Sequence, residues 1–187
     1  MEPLPTSNHT CCRILPIRPL HGAPESRQIP FEARVVPSGE PKTVDASEVG
    51  IRKEGKNSPT TIRLQHYVVD FAIPTASLHF SPGPEGVFHG SFRLLANSYD
   101  SEGRGLLQAA STAVTDLNPD RYKSVLSEGF RLRQELDVPA DAAFLRLGIT
   151  DIATSNIGTL ELQLPVPVPK DSAIARSHGS MPPVEPE

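Results

Sequence analysis

The segment Ala142–Val166 contains two runs in which apolar and polar residues alternate, separated by a short polar stretch that ends at Gly158. A period of two residues is typical of a β-strand that buries one face. The apolar positions are Leu145, Leu147 and Ile149 in the first run and Leu160, Leu162 and Leu164 in the second. We therefore predict an antiparallel hairpin that closes a β-sheet, and this hairpin carries no chemistry of its own.

Most of the 20 prolines of this 187-residue chain lie near its two ends. Between the ends, proline is sparse and periodic apolar runs persist, which is enough for one all-β domain. We predict an immunoglobulin-like or fibronectin III-like antiparallel β-sandwich with one short helix over residues 29–168. Residues 1–28 and 169–187 are expected to be disordered, proline-rich tails. The polar residues 38–59 are expected to form a long loop or linker within the domain.

Several strands are predicted ahead of the closing hairpin. Phe31–Val36 is flanked by prolines, which suits a short edge strand. The run of residues 62–73 alternates apolar and polar positions and is predicted to form a second strand. Val87–Tyr99 and Leu106–Leu117 are expected to pair across Asp100–Gly105, because the glycines of this loop accept a positive φ.

One short helix is predicted between Asn118 and Gly129. Asn118 is a favourable N-cap, and Gly129 is suited to the left-handed position that ends a helix. Tyr122, Val125 and Leu126 recur at spacings of three and four residues, so we expect all three to dock the helix on the sandwich.

The charge of the chain excludes some classes of partner. With 18 basic and 22 acidic residues, the net charge of −4 lacks the basic excess of nucleic-acid-binding domains. No window approaches the roughly 20 apolar residues of a membrane-spanning helix. The first residues do not form a signal peptide, so the chain as written is expected to be cytoplasmic. Cys11 and Cys12 are adjacent, which predicts free thiols rather than a disulfide or a zinc site.

Four segments occur in a distinctive order: YVVDFAIPTASLHF, SYDSEGRG, LNPDRYKSVLSEGF and DVPADAAFLRLGITDIATSNIGTLELQLPV. As an ordered set they resemble the C-terminal region of bacterial, mainly acidobacterial, proteins that contain a von Willebrand factor type A-related domain. The resemblance covers Ile29–Val166 and implies an immunoglobulin-like fold without catalytic residues. It also implies a secreted or envelope location if the chain is a fragment of a longer family member. The type A-related domain and its DxSxS motif are not in this sequence, so metal-dependent adhesion is not implied.

His66, His79 and His89 lie on or beside predicted strands and are the candidates for catalysis or ligand binding. A β-sandwich hydrolase would need two of them to meet a carboxylate in one cleft, and no GxSxG motif occurs. A metal site would need these histidines to converge with Asp70 or Asp100. We therefore expect no enzyme activity, metal or cofactor, with a hydrolase or ligand-binding domain as the alternative.

The strand Phe130–Val138 has apolar residues on one parity and charged residues on the other, which predicts one solvent-exposed face. A candidate recognition face for a carboxylate-bearing partner consists of Arg131, Arg133, Glu135 and Asp137, with Arg146 expected on the neighbouring strand. The alternative is an ordinary solvated surface with cross-strand ion pairs.

These patterns indicate a noncatalytic accessory, spacer or protein-interaction module of a larger extracytoplasmic or envelope-associated bacterial system. The expected partner is a protein, with no nucleic acid and no insertion into a membrane. Self-association through the edge strand Phe31–Val36 is a further hypothesis.

Overall fold

The computed structural model describes residues 20–49 and 60–165. Within these ranges the chain forms eight strands, one α-helix and two short 3₁₀ turns. The strands are β1 (Glu32–Asp45), β2 (Thr61–Ile73), β3 (Ser81–Pro82), β4 (Phe88–Tyr99), β5 (Gly105–Leu117), β6 (Phe130–Pro139), β7 (Phe144–Asp151) and β8 (Ile157–Gln163). The helix is α1 (Pro119–Glu128), and the 3₁₀ turns are Thr75–Ser77 and Pro84–Gly86.

The strands form two antiparallel sheets. Sheet I has the strand order β1-β2-β6. In sheet II, β4 pairs with β5 along one edge and with both β3 and β7 along the other edge. β8 pairs with the far side of β7. The helix α1 connects β5 in sheet II to β6 in sheet I. Two antiparallel sheets with one helix confirm the predicted all-β sandwich.

The hydrophobic core lies between the two sheets. Its largest contributions alternate along three strands: Val69, Phe71 and Ile73 on β2, Phe92, Leu94 and Ala96 on β4, and Leu145, Leu147 and Ile149 on β7. Phe80 meets Phe92 and Phe130 edge to face, with ring centroids 5.6 and 5.5 Å apart. This arrangement of aromatic rings is favourable beyond the apolar area that it buries.

Both predicted hairpins are present. β4 pairs with β5 along its whole length, and β7 pairs with β8. The strand predicted at residues 130–138 is β6, which buries alternate residues and exposes the charged ones between them. The period of two in the sequence was therefore a reliable guide to these strands.

The first strand is longer than predicted. Phe31–Val36 was expected to end at Pro37, but β1 continues to Asp45 through the first part of the expected loop 38–59. The pairing with β2 shifts register between Ser38 and Lys42, and this bulge accommodates Pro41. Residues 50–59 lie outside the described part of the chain.

Part of the expected N-terminal tail is ordered against the sandwich. The segment Leu20–Ile29 runs beside β8, where the Thr159 amide donates to the Ser26 carbonyl at 2.9 Å. The Ile29 amide donates to the Ile157 carbonyl at 3.3 Å, and Ile29 is fully buried. Disorder was therefore the wrong expectation for residues 20–28. Residues 1–19, and the C-terminal tail predicted at 169–187, lie outside the described ranges.

The helix has the predicted ends. The Asn118 side chain accepts a hydrogen bond from the Arg121 amide at 2.8 Å, and Gly129 has a φ of +81°. Val125 is buried and Tyr122 packs against the core, but Leu126 is 53% exposed. Its predicted docking role was wrong, because Leu126 lies about 100° around the helix from Val125. No helix of the described residues is long and apolar enough to span a membrane.

Candidate functional site

The outer face of sheet I carries charged residues in rows across its three strands. Antiparallel pairing sets each residue of β2 between one residue of β1 and one of β6. From β1 to β6 the rows are Glu32-Ala72-Arg131, Arg34-Asp70-Arg133, Val36-Val68-Glu135 and Ser38-His66-Asp137. The four β6 residues predicted to share an exposed face do share it. The rows also show that the face is polarised, because all three arginines lie toward one end and the other end has Glu135 and Asp137 but no arginine.

We call Arg34, Asp70, Arg131 and Arg133 the arginine face. Arg133 Nε donates to Asp70 Oδ1 at 2.7 Å. This hydrogen bond, together with the positive charges of Arg133, Arg34 and Arg131, holds the pKa of Asp70 below its usual value. Neither Arg34 nor Arg131 lies within 4 Å of a carboxylate of the described residues. With Glu32 in the row of Arg131, two carboxylates face three guanidinium groups, and one positive charge remains in excess.

The opposite end of the same sheet face, the acidic end, is built around one histidine. His66 Nδ1 lies 2.8 Å from Asp137 Oδ1, and His66 Nε2 lies 3.7 Å from Glu135 Oε2. Val36 and Val68 separate this cluster from the arginine face. The outer face of sheet I thus has two regions of different charge, whose central rows lie four residues, roughly 13 Å, apart along β2.

A surface groove follows the arginine face. It has a volume of about 520 Å³, and its charged lining residues are Glu32, Arg34, Asp70, Arg131 and Arg133. A second cavity of about 510 Å³ adjoins it at the end of the sandwich and includes the exposed Leu126. Because Arg131 lines both spaces, an extended segment could place a carboxylate on the arginines and an apolar side chain beside Leu126.

Arg146 does not belong to this face. It lies on β7 in sheet II, and its side chain is only 2% exposed. Its guanidinium donates to the carbonyls of Ala23 and Pro24 at 2.7 and 2.9 Å and to Glu161 Oε2 at 3.2 Å. The expectation that Arg146 flanks Arg131 and Arg133 was wrong, because β6 and β7 are in different sheets. Arg146 is a structural residue that holds the N-terminal segment.

The side chains of the three candidate histidines do not share a carboxylate in the described structure. His66 contacts Asp137 on sheet I, whereas His89 Nδ1 lies 2.5 Å from Asp116 Oδ1 on sheet II. His79 Nε2 lies 3.2 Å from the hydroxyl of Ser81, which is the cross-strand neighbour of His89, but no carboxylate contacts the His79 ring in the described residues. A hydrolase needs two histidines at one carboxylate in this fold, and this geometry does not supply that arrangement.

The carboxylates considered as metal ligands bind groups of the protein itself. Asp70 binds Arg133, as described above, and Asp100 accepts the Arg104 Nε–H at 2.7 Å and the amides of Glu102 and Arg104. These bonds lower the pKa of Asp100, with the Arg104 side chain as the largest cause. In residues 20–49 and 60–165 no three histidine, cysteine or acidic side chains group closely enough to hold a metal ion.

Sequence reasoning missed Arg34 as a member of the site and considered Asp70 only as a metal ligand. The signal was present, because Arg34 alternates with the inward-facing Ala33 and Val35. What the sequence did not show is that β2 lies between β1 and β6. Only that order brings three arginines around Asp70.

We expect the Arg133→Gln substitution to raise the pKa of Asp70 toward its usual value of 3.8. The reason is that Arg133 supplies both the hydrogen bond and the nearest positive charge. A pKa lowered in the folded state stabilises the protein above the unfolded value, and the stabilisation disappears as the pH falls through the folded value. Carboxyl chemical shifts followed by NMR during an acid titration measure the change. Arg93→Gln, on sheet II, is the control and should leave the Asp70 pKa unchanged; an unchanged pKa in Arg133→Gln would contradict the assigned cause.

The arrangement on sheet I can bind an anionic group, and it offers neither an activated nucleophile nor a ligand set. Comparisons of the chain with protein-family models, with curated proteins and with solved structures give no match. The geometry of the arginine face is therefore the basis on which a role can be assigned.

Proposed function

We propose that this chain is a noncatalytic protein-interaction module, and that its arginine face binds a carboxylate-bearing segment of a partner protein. The module is immunoglobulin-like and serves a larger extracytoplasmic or envelope-associated bacterial system. The observation that carries the proposal is a groove of about 520 Å³ in which three guanidinium groups outnumber two carboxylates and only Arg133 is ion-paired among the described residues.

The chemistry of arginine supports this role. A guanidinium binds carboxylates through two parallel hydrogen bonds, and it loses less hydration free energy on binding than an ammonium does. Arg34 and Arg131 lack a carboxylate within 4 Å in the described structure, so both can accept one from a partner. Interfaces are also enriched in arginine relative to the rest of a protein surface.

The neighbouring cavity supports a peptide rather than a free anion. Exposed apolar side chains are scattered over most soluble proteins, but Leu126 borders a concave space that continues into the groove. A segment with alternating acidic and apolar residues could fill both spaces. A small anion would use the arginines alone.

The cellular setting rests on the resemblance to the C-terminal regions of von Willebrand factor type A-related proteins. Those regions follow another domain and carry no catalytic residues, which agrees with an accessory role. The hydrolase alternative has less support, because His66 and His89 contact different carboxylates on different sheets.

We expect the full chain to bind a fluorescent peptide of alternating glutamate and leucine, and the Arg131→Glu/Arg133→Glu double variant to lose this binding. Reversing two charges replaces attraction by repulsion at the groove, so the affinity should fall at least about tenfold. Fluorescence anisotropy at several salt concentrations measures the affinity, which should weaken as salt rises.

The control for this experiment is the double variant Arg27→Glu/Arg93→Glu, which makes the same change in net charge away from sheet I. It should bind the acidic peptide nearly as well as the native chain. The Arg131→Glu/Arg133→Glu variant should not weaken the binding of a peptide of alternating lysine and leucine. Equal losses in the two double variants would mean that net charge, and not the arginine face, governs binding, and would refute the proposal.

A further inference from the structure

Three of the long sheet edges in the described part of the chain are protected against pairing with another strand. β1 contains Pro37 and Pro41 and a register shift. β8 is covered by the segment Leu20–Ile29. β6 carries charges at alternate positions and ends at Pro139. Prolines, bulges, charges and covering segments are the devices that block edge-to-edge association in natural β-proteins.

The fourth long edge, β5, has none of these devices. Its 13 residues, GLLQAASTAVTDL, contain no proline and no charge before Asp116. β4 pairs with one side of β5, and no described strand pairs with the other. Val114 is 72% exposed. A long, uncharged and unpaired strand of this kind is a template for another strand.

Every second residue of β5 turns its backbone N–H and C=O groups away from β4. The Ser91 carbonyl accepts the Ile152 amide at 3.0 Å, so the backbone of Ser91 in β4 faces the β7 side. Opposite residues of an antiparallel pair turn their backbone groups both inward or both outward. Val114, which pairs with Ser91, therefore faces outward, and so do Thr112 and Ala110 along the strand.

A buried acceptor without a donor lies beside the middle of β5. The Gln134 side-chain amide of β6 donates to Ser111 Oγ at 3.2 Å, so the edges of β5 and β6 lie on the same side of the sandwich. Gln134 is 6% exposed, and its Oε1 accepts no hydrogen bond from the described residues. Buried acceptors are nearly always satisfied in folded proteins. The contact of Gln134 with Ser111 places the middle of β5 beside β6 at the same edge of the sandwich.

We propose that β5 pairs with β5 of a second copy of this chain, antiparallel, about a two-fold axis at Ser111. Ser111 is the midpoint of Gly105–Leu117, so an axis there pairs the whole strand. It sets Ala110 of one copy opposite Thr112 of the other, both with outward-facing backbone groups. Asp116 of one copy lies opposite Leu106 of the other, so no like charges are paired. Sheet II then continues without interruption through both copies.

The charges of β6 agree with this axis. Gln134 contacts Ser111, so β6 also lies near the proposed axis. The two-fold rotation therefore places the β6 strands of the two copies antiparallel to each other. The arginine end of one β6 then lies toward the acidic end of the other. Isologous contacts of this kind need a self-complementary surface, and this edge is one.

Dimerisation would place two arginine faces in one particle. Two such faces can engage two acidic segments of one partner and raise the avidity without any new contact. The two proposals can fail independently. The substitution Arg34→Glu, on β1, should weaken peptide binding without changing the dimer, because it lies far from the proposed axis. Thr112→Pro, on β5, should abolish the dimer without changing the groove.

Cysteine cross-linking tests the register. In a background of Cys11→Ser and Cys12→Ser, Ser111→Cys should form an intermolecular disulfide under mild oxidation. Self-opposed residues of a non-hydrogen-bonded pair have Cα atoms about 4.5 Å apart, within disulfide range. Ala109→Cys or Ala113→Cys alone should not cross-link, because each lies four residues, roughly 13 Å, from its own copy. A mixture of these two variants should cross-link, since they face each other across the axis.

Sedimentation of the native chain at high micromolar concentration should give the mass of a dimer. Thr112→Pro should give a monomer with an unchanged circular dichroism spectrum, since its amide faces outward and makes no bond to β4. Thr112→Val is the matched control and should remain a dimer. A monomeric native chain, or cross-linking of Ala109→Cys alone that equals cross-linking of Ser111→Cys, would overturn the proposal.

Discussion

Replacing Arg146 by methionine is expected to lower the free energy of unfolding by about 3 kcal/mol, because it removes the buried guanidinium that pairs with the partly buried Glu161 and donates to two backbone carbonyls. The guanidinium is 2% exposed and also binds the carbonyls of Ala23 and Pro24. Methionine fills a similar volume but donates no hydrogen bond. Urea denaturation followed by circular dichroism measures the loss.

The same substitution should release the segment Leu20–Ile29 from β8. Glu161 accepts the Gly22 amide at 3.2 Å and contacts His21, so its position depends on Arg146. Hydrogen exchange at the Thr159 amide, which donates to Ser26, should therefore become faster. This local effect separates loss of the segment from a general loss of stability.

Arg93→Met is the matched control for Arg146→Met. Arg93 is exposed on the outer face of the same sheet, so its replacement should change stability by no more than about 0.5 kcal/mol. The double variant Arg146→Met/Glu161→Leu should recover part of the loss, since it leaves no buried charge unpaired. Equal stabilities of Arg146→Met and Arg93→Met would show that the buried network contributes nothing.

The elements that could be predicted from the sequence are those whose signal is local. The hairpin of β7 and β8 follows from alternation at Leu145, Leu147 and Ile149, which are fully buried. The cap at Asn118 and the end at Gly129 follow from side-chain and backbone chemistry within one turn of helix. These features need no knowledge of which strands are neighbours.

The features that could not be predicted depend on contacts between distant parts of the chain. Arg146 sits on the outward parity of β7, and the pattern predicts exposure there. It is buried because Ala23 and Pro24, more than 120 residues earlier, cover it. The length of β1 was missed for a similar reason, since pairing with β2 carries the strand past Pro37 and through a bulge that propensity alone disfavours.

The candidate site was predicted in part. Four charges of β6 follow from alternation along one strand, and the structure places them on one face. The polarisation of that face, with Arg34 and Asp70 beside Arg133, requires the strand order β1-β2-β6. The open edge of β5 likewise requires knowing which strands have neighbours. Sequence periodicity therefore defines faces, and topology decides which faces and edges remain available for binding.

Replacing Asp151 by alanine is expected to lower the free energy of unfolding by about 3 kcal/mol, since it leaves three backbone amides without an acceptor. Asp151 is fully buried at the end of β7. Its Oδ1 accepts the amides of Ala153 and Thr154 at 2.9 and 3.2 Å, and its Oδ2 accepts the His79 amide at 2.7 Å. The carboxylate therefore closes the β7–β8 turn and also ties it to the segment before β3.

The isosteric variant Asp151→Asn separates hydrogen bonding from packing. Its carboxamide keeps one acceptor, but its NH₂ group must face an amide donor, so we expect roughly half the loss of the alanine variant. The His79 amide should exchange faster with solvent in both variants. Asp141→Ala, on an exposed turn, is the control and should cost no more than about 0.5 kcal/mol. If Asp151→Ala were as stable as Asp141→Ala, with the His79 amide still protected, the buried carboxylate would not be what joins this turn to the rest of the sandwich.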